Sequence, residues 1–145
     1  MKIFLESSFF NKNRSSTLPT PAEIRAISKR SGNIRSTSFN RPPPVIIQSL
    51  GLVVKYGADV TVVEAQTQMM LCKHLKNQVP VPEVFGWTED GCQTFIYMSL
   101  IEGETLQQKW GDMNEDERQS ICEELKHMVK AWRAFGTKQQ WSLYW

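Results

Sequence analysis

Lys55 stands in the middle of an otherwise apolar run, Leu52-Val-Val-Lys-Tyr56, and Glu64 falls nine residues later at the margin of a helical apolar face. Either charge is costly to bury alone, because burial strips its hydration without replacing it. Set against one another, the two neutralise and the cost falls. A lysine-bearing strand packed beside a glutamate-bearing helix would meet both needs and present the ammonium to a phosphate. Spacing alone leaves a plainer alternative open. Lys55 could bury its stem and extend its head to water, and Glu64 could be a rim residue of an amphipathic helix.

The order of elements around the pair adds to the argument. Val45-Ile46-Ile47 and Leu52-Val53-Val54 flank a short turn at residues 48–51, which predicts a hairpin. Gly57 ends the second strand, and Asp59 is positioned to cap a helix reaching about Lys76. On that helix Val60, Val63, Thr67, Met70, Leu71 and His74 are expected to share the inward face, with Glu64 at its margin and Lys73 pointing away. Val79-Pro80-Val81-Pro82 excludes helix and starts an extended segment. Residues 83–89 and 92–98 flank Asp90-Gly91, the strongest short hairpin signal in the chain.

After Ile101-Glu102-Gly103 the chain is expected to leave the sheet. A short helix is predicted over residues 105–110. A long one starts at Asn114, where Glu117 completes a capping box, and carries Ile121, Leu125, Met128, Trp132 and Phe135 at spacings of four and three. Upstream, Thr20-Pro21-Ala22-Glu23 opens a helix that should stop near Gly32. Residues 33–39 are weakly strand-like, and Arg41-Pro42-Pro43-Pro44 is an extended connector. The expected fold is α+β: an irregular arm over 1–19, an antiparallel sheet of about five strands with one packed helix over 20–103, a helical extension over 104–135 and a separate tail over 136–145.

Charge and cysteine content narrow the function classes. Of the 145 residues, 41% are apolar, enough for one modest core. Residues 1–41 carry eight Lys/Arg against Glu6 and Glu23, net +6, while residues 42–145 carry nine against thirteen acids, net −4. A basic arm can attract nucleic acid or anionic lipid, but this one lacks interleaved aromatics and any reading motif, so a solvated arm with neither partner is expected. Cys72, Cys92 and Cys122 form no Cys-x-x-Cys, which argues against a zinc site or a disulfide framework and for a reducing compartment. The first six residues are too short for a secretory signal, and no run approaches the ~20 apolar residues of a membrane span. A cytoplasmic chain is the expectation.

Several runs carry a more specific likeness: Val53-Val54-Lys55-Tyr56-Gly57, Glu64-Ala65, Val79-Pro80-Val81-Pro82-Glu83-Val84, Gly86-Trp87, Phe95-Ile96-Tyr97-Met98 and Ile101-Glu102-Gly103. Together they resemble the aminoglycoside phosphotransferase family, and within it the large fungal group of phosphotransferase-domain proteins without an assigned substrate. The likeness covers residues 21–135. It implies a kinase-like small lobe, with ATP and magnesium as cofactors and transfer of the γ-phosphate to a hydroxyl. On this resemblance Lys55 contacts the α- and β-phosphates and Glu64 orients it. Val53 packs on the adenine face and Met98 lines the back of the adenine pocket, although core packing alone explains both. The Ser99 C=O and the Ile101 N–H meet the adenine edge.

The departures matter as much. No Gly-x-Gly-x-x-Gly precedes Lys55, and the phosphate loop is expected instead within residues 32–39, where Ser36, Thr37 and Ser38 offer hydroxyls. Neither His74 nor His127 begins a catalytic loop, and His74 is expected to be packed. The sequence contains no His-x-Asp and no Asp-Phe-Gly. In the family the catalytic base and the metal-binding aspartate come after the long helix, whereas Asp112, Glu115 and Asp116 cluster at its start as favourable first-turn charges. The tail does not resemble the family's segment beyond that helix and reads as a premature end. Two functions are compatible with this: a truncated phosphotransferase domain with the ATP side alone, inactive by itself, or a non-catalytic nucleotide-binding or interaction module. The stripe on the long helix is expected to drive self-association, unless Trp141, Leu143 and Trp145 cover it.

Overall fold

Strand β5 (Gln93–Ser99) is apolar on both of its faces, and the sheet around it explains why. A computed structural model describes residues 1–12, 14–75 and 78–138. The expected cover by Trp141, Leu143 and Trp145, and the helix end at Lys76, lie outside the described residues. The chain divides into two units, Met1–Leu71 with Pro82–Ile101, and Cys72–Val81 with the chain from Glu102 onward.

The first unit is built on a five-stranded antiparallel sheet. Its strands are β1 (Lys2–Ile3), β2 (Val45–Ile47), β3 (Leu52–Gly57), β4 (Val84–Asp90) and β5, in the spatial order β1-β4-β5-β3-β2. Alternate residues of a strand face opposite sides, and both sides are filled. Leu52, Val54 and Tyr56 of β3 join Phe95 and Tyr97 of β5 in one cluster with Phe9, Leu18 and Ile24. Ile96 and Met98 belong to the other, with Val60, Ala65, Val84 and Trp87. Helices therefore cover both faces of the sheet, where a single packed helix was expected: α2 (Pro21–Arg30) supplies Ile24 to the first cluster and α3 (Val62–Leu75) supplies Ala65 to the second.

The N-terminal arm is ordered structure, correcting the expectation of an irregular segment. β1 pairs with β4, placing Lys2 opposite Trp87, and a short helix α1 (Ser8–Asn11) buries Phe9 completely. Phe9 lies 5.3 Å from the Phe85 ring, and the Phe4 N–H donates to the Phe85 carbonyl at 3.0 Å. Burial of an aromatic of this size contributes on the order of 2–3 kcal/mol, enough to hold a short arm in place.

Start and stop signals are realised at α2, where Thr20 and Glu23 form a reciprocal capping box with Pro21 in the first turn. Residues 33–39 differ from the weak strand expectation: Ile34–Thr37 is a 3₁₀ turn. The Asn33 side chain accepts from the Arg35 N–H, and the Thr37 hydroxyl donates to the Ile34 carbonyl. Such local side-chain bonds compete with a sheet ladder and win here.

The hairpin between β4 and β5 forms as expected but is offset by one residue. Asp90 pairs with Gln93, so the loop is Gly91-Cys92, with φ of 56° and 60°. Two consecutive positive φ values are what a type I′ turn requires, and the twist of that turn matches the strands it joins. Helix α3 departs further. It begins at Val62, and its inward face is Val62, Ala65 and Met69, while Val63 is 51% exposed. Ala65 is fully buried in the second cluster, with Val62 and Met69 packed against it. Of the expected face, Val60 is buried just ahead of the helix and Met70 and Leu71 are half-buried, whereas Val63, Thr67 and His74 are exposed.

In the second unit, α4 (Leu106–Lys109) carries a capping box between Thr105 and Gln108, and α5 (Glu115–Lys138) opens with reciprocal bonds between Asn114 and Glu117, both 2.9 Å. Arg118 reaches back to the Trp110 carbonyl and lies over its ring at 5.4 Å. His74 is exposed rather than packed within a core, its ring 5.3 Å from Phe135. Among the described residues no helix is long and apolar enough to cross a membrane.

Candidate functional site at Lys55

The alternation of β3 that buries Leu52, Val54 and Tyr56 turns Val53 and Lys55 toward the face carrying α3. Glu64 stands in the first turn of α3, where a carboxylate is favoured by the helix dipole. The Lys55 ammonium is hydrogen-bonded to Glu64 Oε2, and Glu64 Oε1 accepts from the Thr61 N–H at 3.4 Å. The side chains are 46% and 41% exposed, so the pair is not a buried ion pair and contributes only about 0–1 kcal/mol to stability. Its effect is to fix where the ammonium sits.

Lys55 and Glu64 border a cleft of about 370 Å³ whose other polar walls are Arg41 and Asp59, with Pro42 and Pro44 between them. Arg41 Nε donates to Asp59 Oδ2 at 2.8 Å. Asp59 was expected to cap the helix; its carboxylate serves Arg41 instead. The backbone beneath Arg41 is tied to the end of β3, the Ala58 and Asp59 N–H groups donating to the Phe39 and Asn40 carbonyls, each at 3.2 Å. Gly57 permits this approach. Its φ is 144°, and a Cβ there would lie 2.1 Å from the Asn40 carbonyl oxygen.

The expected phosphate loop at residues 32–39 does not border this cleft. Those residues line a different one, of about 690 Å³, with Arg25, Lys29 and Gln93. Its hydroxyls are already engaged: Thr37 with the Ile34 carbonyl, Ser36 with the Ser31 hydroxyl, and Ser38 with the Arg41 N–H. The segment beside Lys55 is the proline-rich connector. Its local mark in the sequence, an arginine at the head of three prolines, specifies only an extended connector; what sets it beside Lys55 is the distant Asp59.

On the expected adenine side, Val53 lies opposite Met98 across the β3–β5 ladder. Met98 is half-buried against the second core cluster and receives a long contact from the Gln68 amide, 3.8 Å to sulfur. Ser99 lies three positions along β5 from Ile96, the residue opposite Lys55, a separation of about 10 Å along the strand. Its N–H donates to the Glu83 carbonyl at 2.8 Å, and its hydroxyl accepts from the Glu83 N–H at 2.9 Å. The Leu100 N–H donates to the Gly51 carbonyl. Ile101 is 64% exposed, and its N–H has no partner among the described residues. The fold thus brings Lys55, Glu64, Val53 and Met98 to one face of the sheet and leaves Ser99 and Ile101 where the chain exits it.

Among the described residues no three His, Cys, Asp or Glu side chains converge as a metal site. The two carboxylates at the cleft, Asp59 and Glu64, are each held by a cation, a donor set that does not fit a metal ion. Tyr97, in the first core cluster, has the most strongly displaced titration among the described residues: burial pushes its phenol well above the ordinary value, and the Glu23 carboxylate adds to the effect. No protein-family model, curated protein or solved structure matches this chain.

Proposed function

We propose that the first unit is the ATP-side lobe of a small-molecule phosphotransferase domain of the aminoglycoside phosphotransferase type. The observation that carries this reading is the Lys55–Glu64 contact from β3 to α3, which holds an ammonium half-open at the mouth of a cleft. An ammonium has three donors, and Glu64 takes one, leaving the others for the α- and β-phosphates of a nucleotide. Val53 and Met98 would contact the adenine ring, and the Ser99 C=O and the free Ile101 N–H would meet its edge. Magnesium, which the resemblance implies, would supply charge neutralisation on the bound nucleotide. The carboxylates at this cleft do not fit it, and no step runs through it.

In this reading the chain supplies nucleotide contacts and no transfer, because the sequence offers neither of the family's two motif aspartates. Residues 1–145 are therefore expected to show no phosphotransferase activity. The free thiols Cys72, Cys92 and Cys122 are compatible with a cytoplasmic location. A second reading, a non-catalytic interaction module, is favoured by the exposed Leu125, Val129 and Trp132 on α5. Calorimetric titration of ATP into the chain and into Lys55→Ala tests the first reading. Equal affinities for the two proteins would overturn it.

A further inference from the structure

We propose that Arg41 is a second phosphate-contacting cation of the Lys55 cleft, so that a nucleoside polyphosphate is gripped by two cations from two separate segments. The inference rests on the nucleotide reading of Lys55 and adds to it a residue outside the runs that carry that reading.

Arg41 and Lys55 border the same cleft. Each is held by its own carboxylate, and the manner of holding differs. Asp59 engages Arg41 through Nε alone, along the side of the guanidinium. Neither terminal nitrogen of Arg41 has a partner among the described residues, and the side chain is 81% exposed. A guanidinium pinned at Nε presents its two outer nitrogens as a fork, the geometry that suits two oxygens of one phosphate.

The position of Arg41 is fixed from below as well as from the side. Pro42, Pro43 and Pro44 restrict the chain after it. Its own N–H donates to the Ser38 hydroxyl at 3.2 Å, and the preceding residues are hydrogen-bonded to Ala58 and Asp59 over Gly57. This anchoring reduces the ordering cost of binding, as a glycine-rich loop would not. The two carboxylates cancel the net charge of the cleft. Long-range attraction of anions is therefore weak, and recognition depends on the short-range fork.

The test is calorimetric titration of ATP and of inorganic tripolyphosphate into the full chain and into Arg41→Gln, Arg41→Lys and Lys55→Ala. Arg41 is exposed, so these substitutions should leave the fold intact, with thermal melts as the check. Arg41→Gln should weaken both ligands about tenfold, and Arg41→Lys should restore only part of the loss because it lacks the fork. If Lys55→Ala weakens ATP and Arg41→Gln does not, the Arg41 inference fails and the nucleotide reading survives. If both variants weaken tripolyphosphate but ATP binds no tighter than tripolyphosphate, Arg41 stands as an anion contact and the nucleotide reading fails. Absence of binding by either ligand overturns both.

Discussion

Ser8 gives both its backbone N–H and its hydroxyl to the carboxylate of Glu83, at 3.0 and 2.5 Å. The bond joins residues 75 apart in sequence, so the start of α1 is capped by a side chain lying just before β4. Glu83→Ala would leave two donors at a half-buried site without an acceptor and should destabilise the chain by about 1–3 kcal/mol. Glu83→Gln keeps one acceptor and should cost less than half as much. Urea unfolding of the two variants decides this, and equal midpoints for Glu83→Ala and the parent would refute it.

The Lys55–Glu64 pair should separate stability from ligand binding. It is half exposed, so Glu64→Gln should alter unfolding free energy by no more than ~1 kcal/mol. The same variant should weaken ATP clearly, since the ammonium loses its fixed position. A Glu64→Gln protein with undiminished ATP affinity would show that the pair has no positional role.

Tyr97 makes a prediction about alkaline pH. Its hydroxyl is buried without a hydrogen-bond partner among the described residues, and its folded phenol pKa is raised by burial. Above about pH 10 the unfolded chain releases that proton while the folded chain keeps it, so the unfolded state binds fewer protons and stability falls as pH rises. Tyr97→Phe removes this pH term and an unpaired hydroxyl together. It should raise stability at neutral pH by roughly 1 kcal/mol and flatten the decline above pH 10. Denaturation at pH 8 and about pH 10.5 tests both parts; parallel declines for parent and variant would contradict the second.

Leu125, Val129 and Trp132 lie within two turns of α5 and are all exposed. A contiguous apolar strip of this kind favours association, and self-association at micromolar concentration is the expected outcome. Sedimentation velocity should show a concentration-dependent shift that Leu125→Glu with Trp132→Glu abolishes. A parent chain that stays monomeric across the concentration series would remove α5 as a contact surface.

The elements legible in the sequence are those whose signals are local. Thr20 with Glu23 and Asn114 with Glu117 each specify a helix start within four residues, and both caps form; the short helix expected over 105–110 forms too, with a Thr105–Gln108 cap that was not anticipated. Gly91 likewise marked the β4–β5 hairpin, although Cys92 rather than Asp90 shares its turn. What could not be read depends on distant partners. Phe9 has no periodic neighbours and packs on Phe85; Ala65 is inward with Val60, Val84, Trp87 and Ile96, partners that lie on other elements and leave no mark on a wheel. At the candidate site, Lys55 and Glu64 were readable because either charge alone on an apolar surface is costly. Arg41 was not, since its place depends on Asp59 and on the missing side chain of Gly57.

The pairing of β1 with β4 also dictates an order of assembly. Lys2 and Ile3 pair with Trp87 and Gly86, so these two residues, once synthesised, have no strand to join until more than eighty others have emerged. The β4–β5 hairpin closes locally and at small entropic cost, whereas β1 must close the largest loop in the sheet. The arm, with Phe9, is therefore expected to be the last part of the sheet to dock. In pulsed hydrogen exchange the β5 amides should gain protection before that of Phe4, which donates to the Phe85 carbonyl, and the exposed edge of β4 is where a nascent chain of this sequence is most open to pairing with another copy.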